Sequence, residues 1–210
     1  MQPRILPFGE AALLVELERR IDPLVAARAA ALADRWEALG RGPAVPTYAS
    51  VLLRWDPLVT VAEAARREAE TILASLGDVR PLGKGRLVEV PTRYDGPDLD
   101  DVARASGLSA REVVRAHTSR DHVAYFVGFM PGFAYCAGVD ERIVAPRLAS
   151  PRARVPAGSV AVADGQTAVY PADSPGGWRL LGRTDLVAFD ASRDEAALVR
   201  PGDRVRFVAL

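Results

Sequence analysis

The segment from Gly128 to Thr184, GFMPGFAYCAGVDERIVAPRLASPRARVPAGSVAVADGQTAVYPADSPGGWRLLGRT, decides the fold of the larger part of this chain. Short apolar runs alternate in it with proline and glycine, a spacing that predicts a compact β-barrel or sandwich. Asp164-Gly165 lies between SVAVA and QTAVY. An Asp-Gly pair suits the two positive-φ positions of a tight hairpin turn, so Val160–Val162 should pair with Thr167–Val169. The same texture continues on both sides, in VAYFVGF from Val123, LVAF from Leu186 and RVRFVAL from Arg204.

Working outward, Arg86 to Val90 alternates like a first strand of this β unit, and two short helices are expected at Leu99–Ala105 and Ser109–Thr118. Ser109 with Glu112 three residues on forms a capping-box signature. The helix pair resembles a helix-turn-helix in outline, but nothing else in the composition supports DNA binding. Pro81 to Gly85 reads as a linker. Before it, Ala11–Leu17 and Tyr48–Trp55 are expected strands, and Leu24–Leu39 and Thr60–Leu76 are Ala-rich helices. Asp22-Pro23 supplies an N-cap followed by proline at the first helical position. Strand–helix–strand–helix predicts a small α/β domain, ferredoxin-like, over residues 1–84, followed by the β-barrel domain over 85–210. The fold class is α+β.

Composition narrows the function. Acids and bases balance at 27 each among 210 residues, which gives no footing for nucleic-acid binding or long-range steering. Lys84 is the only lysine, leaving little room for Schiff-base chemistry. The single cysteine, Cys136, has no partner for an internal disulfide, and no Cys/His set has metal spacing. The opening MQPRILPFGE lacks the form of a signal peptide, and no run approaches the roughly 20 apolar residues of a membrane span. A cytoplasmic, reduced protein is expected.

No GxxxxGK[ST], GxSxG or GxGxxG signature is present, so no familiar stand-alone catalytic machine is expected. Candidate residues gather in the glycine-rich segment. Arg147 and Arg152 present guanidinium forks suited to a carboxylate or phosphate, or are surface arginines paired with acids; Arg154 shares a strand face with Arg152. Gln166 and Thr167 follow the hairpin turn and offer amide and hydroxyl contacts, or simply close strand ends. Tyr170 and Trp178 flank Ser174-Pro175-Gly176-Gly177, where adjacent glycines let backbone approach a ligand, or make a plain turn. His117 either caps a helix C-terminus or acts as a hydrogen-bonding or proton-transfer group at a cleft mouth. Phe129, Met130, Phe133 and Tyr135 either pack the barrel or meet a partner. Cys136 reads as an inert core thiol.

Taken in order, Gly128-Phe129-Met130-Pro131-Gly132-Phe133, Pro146-Arg147, Pro151-Arg152, Val155 to Val160 (VPAGSV), Gln166-Thr167, Val169-Tyr170-Pro171, Ser174 to Trp178 (SPGGW) and Gly182-Arg183-Thr184 resemble the KipI family. That family is also called allophanate hydrolase subunit 1, or PxpB, the B subunit of 5-oxoprolinase. Leu6 to Val15 is similar to its opening strand, and Pro201 to Phe207 to its closing one, so the resemblance covers essentially the whole chain. It implies a cyclophilin-like barrel and a role as a non-autonomous subunit of an ATP-dependent 5-oxoprolinase. The partners it implies are a subunit 2 homologue (KipA or PxpC type) and a LamB/YcsF-type (PxpA) protein. ATP would be used by the complex, at a site the sequence does not locate, with no resident metal. On this reading His117, Arg147 and Arg152 are the catalytic candidates. Gln166, Thr167, Tyr170, Gly176, Gly177 and Trp178 are the substrate-binding ones. The family also includes an inhibitor of a histidine kinase and one half of a urea-processing carboxyltransferase, and these alternatives stay open, because fold does not fix function.

Overall fold

The computed structural model describes residues 3–18 and 20–210. The chain divides into two compact units, one ending at Leu82 and one beginning at Gly83.

The first unit contains β1 (Arg4–Pro7), β2 (Ala12–Glu16), α1 (Pro23–Ala38), β3 (Ala44–Pro46), β4 (Ser50–Arg54) and α2 (Ala62–Ser75). Asp22 starts α1 as the sequence leads one to expect: its Oδ1 accepts the N–H groups of Leu24 and Val25 at 2.8 and 3.1 Å, satisfying two of the donors a helix leaves open at its start. The sheet is antiparallel, in the order β1-β2-β4-β3. Alternate strand residues Leu13, Val15, Val51 and Leu53 share a buried cluster with Leu32 and Trp36 of α1 and Ala69 and Ile72 of α2, so both helices cover one face. The arrangement is ferredoxin-like with one difference. The outer strand beside β2 comes before the two strand–helix pairs instead of after them. Edge strands β1 and β3 are short and carry Pro7 and Pro46, which left them without a readable pattern in the sequence.

The second unit runs β5 (Leu87–Thr92), α3 (Leu99–Ser106), α4 (Ala110–Thr118), β6 (His122–Val127), β7 (Ala134–Ala137), β8 (Arg152–Val155), β9 (Ser159–Ala163), β10 (Gln166–Val169), β11 (Ser174–Gly176), β12 (Arg179–Arg183) and β13 (Arg204–Ala209). The capping box of α4 is formed by Ser109 and Glu112. Seven strands make one sheet in the order β12-β9-β10-β7-β6-β13-β5. The β9–β10 hairpin pairs Val162 with Thr167, Ala161 with Ala168 and Val160 with Val169. Asp164 and Gly165 turn it with φ of 50° and 78°, both positive as a type I′ turn requires.

The two ends of the sheet meet. Arg93, just beyond β5, and Arg183, at the end of β12, exchange a pair of 2.9 Å backbone hydrogen bonds, so the sheet closes into a barrel with no long free edge. Gly182 makes this approach possible, since a Cβ there would collide with the carbonyl of Arg93. Inside, Val90, Ala124, Ala134, Cys136, Val160, Val205 and Phe207 from five strands form the core. The other side of β9 and β10 bears Ala161, Ala163 and Ala168, packed with Val155, Phe133, Tyr170 and Trp178 beneath the β8–β11 ribbon. Helices α3 and α4 pack through Val102, Val113 and Ala116 on Val162 and Leu181. Among the described residues no helix is long and apolar enough to cross a membrane.

Candidate functional site

The outer face of β9–β10 carries the main aromatic assembly of the second unit. Phe133, fully buried, lies at its centre. Its ring meets Phe129, Tyr135, Tyr170 and Trp178 edge-on, with centroids 4.9 to 5.5 Å away, the T-shaped geometry that ring quadrupoles favour. These residues come from distant segments. The β6–β7 loop gives Phe129 and Phe133, β7 gives Tyr135, the residue after β10 is Tyr170, and the end of β11 and the turn after it give Gly176, Gly177 and Trp178. Together with Pro151, Pro175 and Arg147 they line an open cleft of about 230 Å³. Burial pushes the Tyr135 and Tyr170 phenols up from their ordinary value, with Arg147 opposing in both cases. Both are neutral hydrogen-bonding groups at neutral pH.

The two candidate arginines differ in how they are held. Arg147 lies at the cleft, its guanidinium carbon 5.7 Å from the Trp178 ring centroid, within cation–π range. Its ion pair to Asp164, at 3.2 Å, is about half exposed on both sides, the class of contact worth about 0–1 kcal/mol. An incoming carboxylate can therefore compete for this guanidinium. Arg152 is committed elsewhere. It donates to the nearly buried Asp98 at 2.6 Å and to the Trp178 carbonyl at 3.4 Å. The other oxygen of Asp98 accepts the Leu180 N–H at 2.7 Å. Arg152 thus ties the β8–β11 ribbon to the start of α3 and to β12. It lies near enough to Tyr170 to help offset the burial shift of that phenol.

His117 lies in a second, separate arrangement. It is fully buried, with its ring 4.5 Å from Phe207 and 5.1 Å from His122. The Thr167 hydroxyl donates to the Ala161 carbonyl at 3.0 Å, so it accepts from His117 Nε2–H at 2.9 Å. Nδ1 is then bare and accepts the Tyr94 hydroxyl at 2.7 Å. His122 Nε2 donates to the His117 carbonyl at 2.9 Å, and its Nδ1 is buried with no hydrogen-bond partner among the described residues. Burial holds His117 well below the usual imidazole pKa, and the neighbouring His122 adds to this; burial also lowers His122. Both rings are neutral, structural imidazoles at pH 7.

Of the residues singled out from the sequence, the structure brings Arg147, Tyr170, Gly176, Gly177 and Trp178 into one cleft. It does not bring His117, Gln166 or Thr167 there. Thr167 and Tyr170 are three residues apart, and strand alternation sends them to opposite faces of the sheet; Thr167 meets α4 while Tyr170 meets the ribbon. Gln166 is buried at the start of β10. Three of the residues expected either to pack the barrel or to meet a partner, Phe129, Phe133 and Tyr135, line the cleft as well. Asp98 and Tyr94 were not singled out, and nothing local announces the bond between Asp98 and Arg152. Cys136 is an interior thiol pushed up to about 12 by burial.

The chain is 35% identical over 99% of its length to the 5-oxoprolinase B subunit of Bacillus subtilis (strain 168), spanning 92% of that protein. Among solved structures it is similar to TTHA0988, with 40% identity and a TM-score of 0.79 over 95% of this chain; it spans only 40% of that longer chain. It shares its fold with the urea amidolyase of K. lactis, at 19% identity and a TM-score of 0.82, where it spans 15%. The family described as "Carboxyltransferase domain, subdomain C and D" matches residues 3–199, and with the Bacillus relative this establishes that the chain belongs to that family and to its KipI/PxpB group.

Proposed function

We propose that this chain is the B subunit of an ATP-dependent 5-oxoprolinase, converting 5-oxoproline to L-glutamate together with a subunit 2 (KipA/PxpC-type) homologue and a LamB/YcsF-type (PxpA) protein. The observation that carries the reading is the near full-length likeness to the Bacillus 5-oxoprolinase B subunit. The cleft supports it. 5-Oxoproline is a small, flat lactam bearing one carboxylate. Phe129, Tyr135 and Trp178 offer π faces and edges for the ring, and Arg147 offers a guanidinium whose exposed pair with Asp164 is cheap to exchange. Opening the ring adds water across the lactam C–N bond, giving a carboxylate and an amine. A stable amide needs activation for this, and ATP supplies it in the complex.

The cleft does not fit ATP itself. At about 230 Å³ it falls below the roughly 300–1,000 Å³ of pockets for drug-sized ligands. Its lining offers one guanidinium and no lysine. On this reading the nucleotide is not held in this cleft, whose residues bind and orient the lactam. That TTHA0988 contains a counterpart of this chain within a much longer polypeptide accords with a function exercised beside further protein.

The test is reconstitution. The chain is purified alone and with each partner, and ATP-dependent glutamate formation from 5-oxoproline is measured. Turnover is expected only in the full mixture. There Arg147→Ala should raise KM about tenfold, the loss of one charge-assisted contact, and leave the melting temperature of the chain nearly unchanged. Full turnover by the lone chain, or none by the complete set, rejects the proposal.

A further inference from the structure

Among the described residues, Phe129 is the one large side chain whose backbone lies in the left-handed region, with φ of 66°. A bulky residue there is an outlier that costs stability. The Met130 N–H reaches back to the Gly128 carbonyl at 2.8 Å, which makes Phe129 the centre of a positive-φ γ-turn, the rare and strained form. The strain has no easy local release. Gly128 N–H donates to the Phe133 carbonyl at 3.1 Å, and Phe133 N–H to the Met130 carbonyl at 3.1 Å. Gly132 rests so closely on Phe189 that a Cβ would come within 2.6 Å of the Phe189 Cβ. The loop is pinned at both ends around the one residue that bears the strain.

What the strain achieves is placement. Phe129 is 61% exposed, so it gains little from burial, and glycine or asparagine would occupy this φ at lower cost. Yet its ring stands edge-on to Phe133 at 5.5 Å and lines the cleft beside the buried aromatics, on the exposed side. Relaxing the backbone would swing this wall away. We propose that Phe129 is a specificity-determining residue, an aromatic wall held in a strained γ-turn so that a small planar ring entering the cleft is covered on its solvent side. This rests on the reading of the cleft as the lactam site and adds the residue that selects for a flat ring.

The inference separates two properties that one substitution at a time can resolve. Phe129→Gly removes ring and strain; Phe129→Ala removes the ring and keeps the strain. In the full chain, binding of 5-oxoproline is followed by ligand-observed NMR titration, and thermal unfolding is recorded for each variant. Both variants should bind about tenfold more weakly than the unmodified chain, and the glycine variant should melt several degrees above the alanine variant. Phe129→Tyr should restore binding. Unchanged affinity in the glycine variant, or a glycine variant that melts below the alanine one, overturns the proposal. So does the absence of saturable binding by the unmodified chain. Binding that follows this pattern in a chain whose complete complex forms no glutamate would leave Phe129 as the wall of a lactam site and reject the oxoprolinase reading instead.

Discussion

At the scale of single residues, the two histidines set how this fold responds to acid. His117 and His122 are neutral in the folded chain because their surroundings disfavour the imidazolium: burial for both, each other's proximity for His117, and Arg120 for His122, partly offset there by Asp121. Tyr94, which also faces His117, is pushed further up by burial and stays neutral. In the unfolded chain both imidazoles titrate near the ordinary value of 6.5. The folded pKa is depressed, so the full contribution is present above about 6.5. It is lost as pH falls below that value, because the unfolded chain takes up protons that the barrel refuses. Each histidine can remove up to about 1.4 kcal/mol per pH unit in this window. Carboxylates held low by arginine and backbone donors, such as Asp173 and Asp203, act mainly below about pH 5. Denaturant unfolding should therefore give a flat stability profile from pH 8 to 7 and a steady decline from 6.5 to 5; a flat profile down to pH 5 would show that these rings are protonated in the fold. His117 stood out in the sequence, yet its chemistry did not, since it depends on Thr167 and Tyr94 arriving from other elements. The same holds for Arg152, whose surface-pair reading and anion-site reading were both open until Asp98 was seen against it.

At the scale of elements, what was local was legible. Asp22 capping α1, the Ser109–Glu112 box on α4 and the Asp164-Gly165 hairpin each rest on residues within a few positions of one another, and each forms as expected. The short ribbon strand β11 and edge strands β1 and β3 escaped, because three or four residues containing proline carry no periodicity. The barrel seam escaped for another reason. It joins Arg93 to Arg183, far apart in the sequence, and only the structure shows that Gly182 is the point of contact. This assigns different costs to two glycines. Gly182→Ala drives a methyl into the Arg93 carbonyl and should cost about 2–4 kcal/mol, the range of overpacking with loss of paired backbone. Gly165→Ala meets no neighbour and strains only its own φ of 78°, for about 1 kcal/mol. Denaturant unfolding ranks the two, and hydrogen exchange at the Arg93 and Arg183 amides should rise sharply in the first variant alone. Equal costs would mean that the seam is loose enough to yield.

At the scale of the whole molecule, the two units carry separate cores, one built on Trp36, Leu32 and Val51, the other on the barrel clusters. The second unit also closes its own hydrogen bonding. Its first strand, β5, pairs in parallel with β13 along six residues and is continued by the bridge to Arg183. Just before β5, Gly85 N–H donates to the Gly202 carbonyl at 2.9 Å, and Arg86 meets Asp203 through its N–H at 3.0 Å and its guanidinium at 2.9 Å. The segment at 83–86 therefore belongs to the barrel's own framework. A chain of residues 83–210 should fold alone in one cooperative transition, whereas a chain beginning at residue 94 loses β5 and the seam and should not. Trp178 is the only tryptophan in either fragment, because Trp36 and Trp55 lie in the first unit. Its near-ultraviolet circular dichroism and emission thus report directly on whether the aromatic cleft has assembled. A native-like Trp178 signal in the longer fragment and none in the shorter would place the barrel and its cleft within residues 83–210. A longer fragment that is collapsed but lacks that signal would mean that the cleft needs the first unit to form, and the site would then have to be assigned to the chain as a whole.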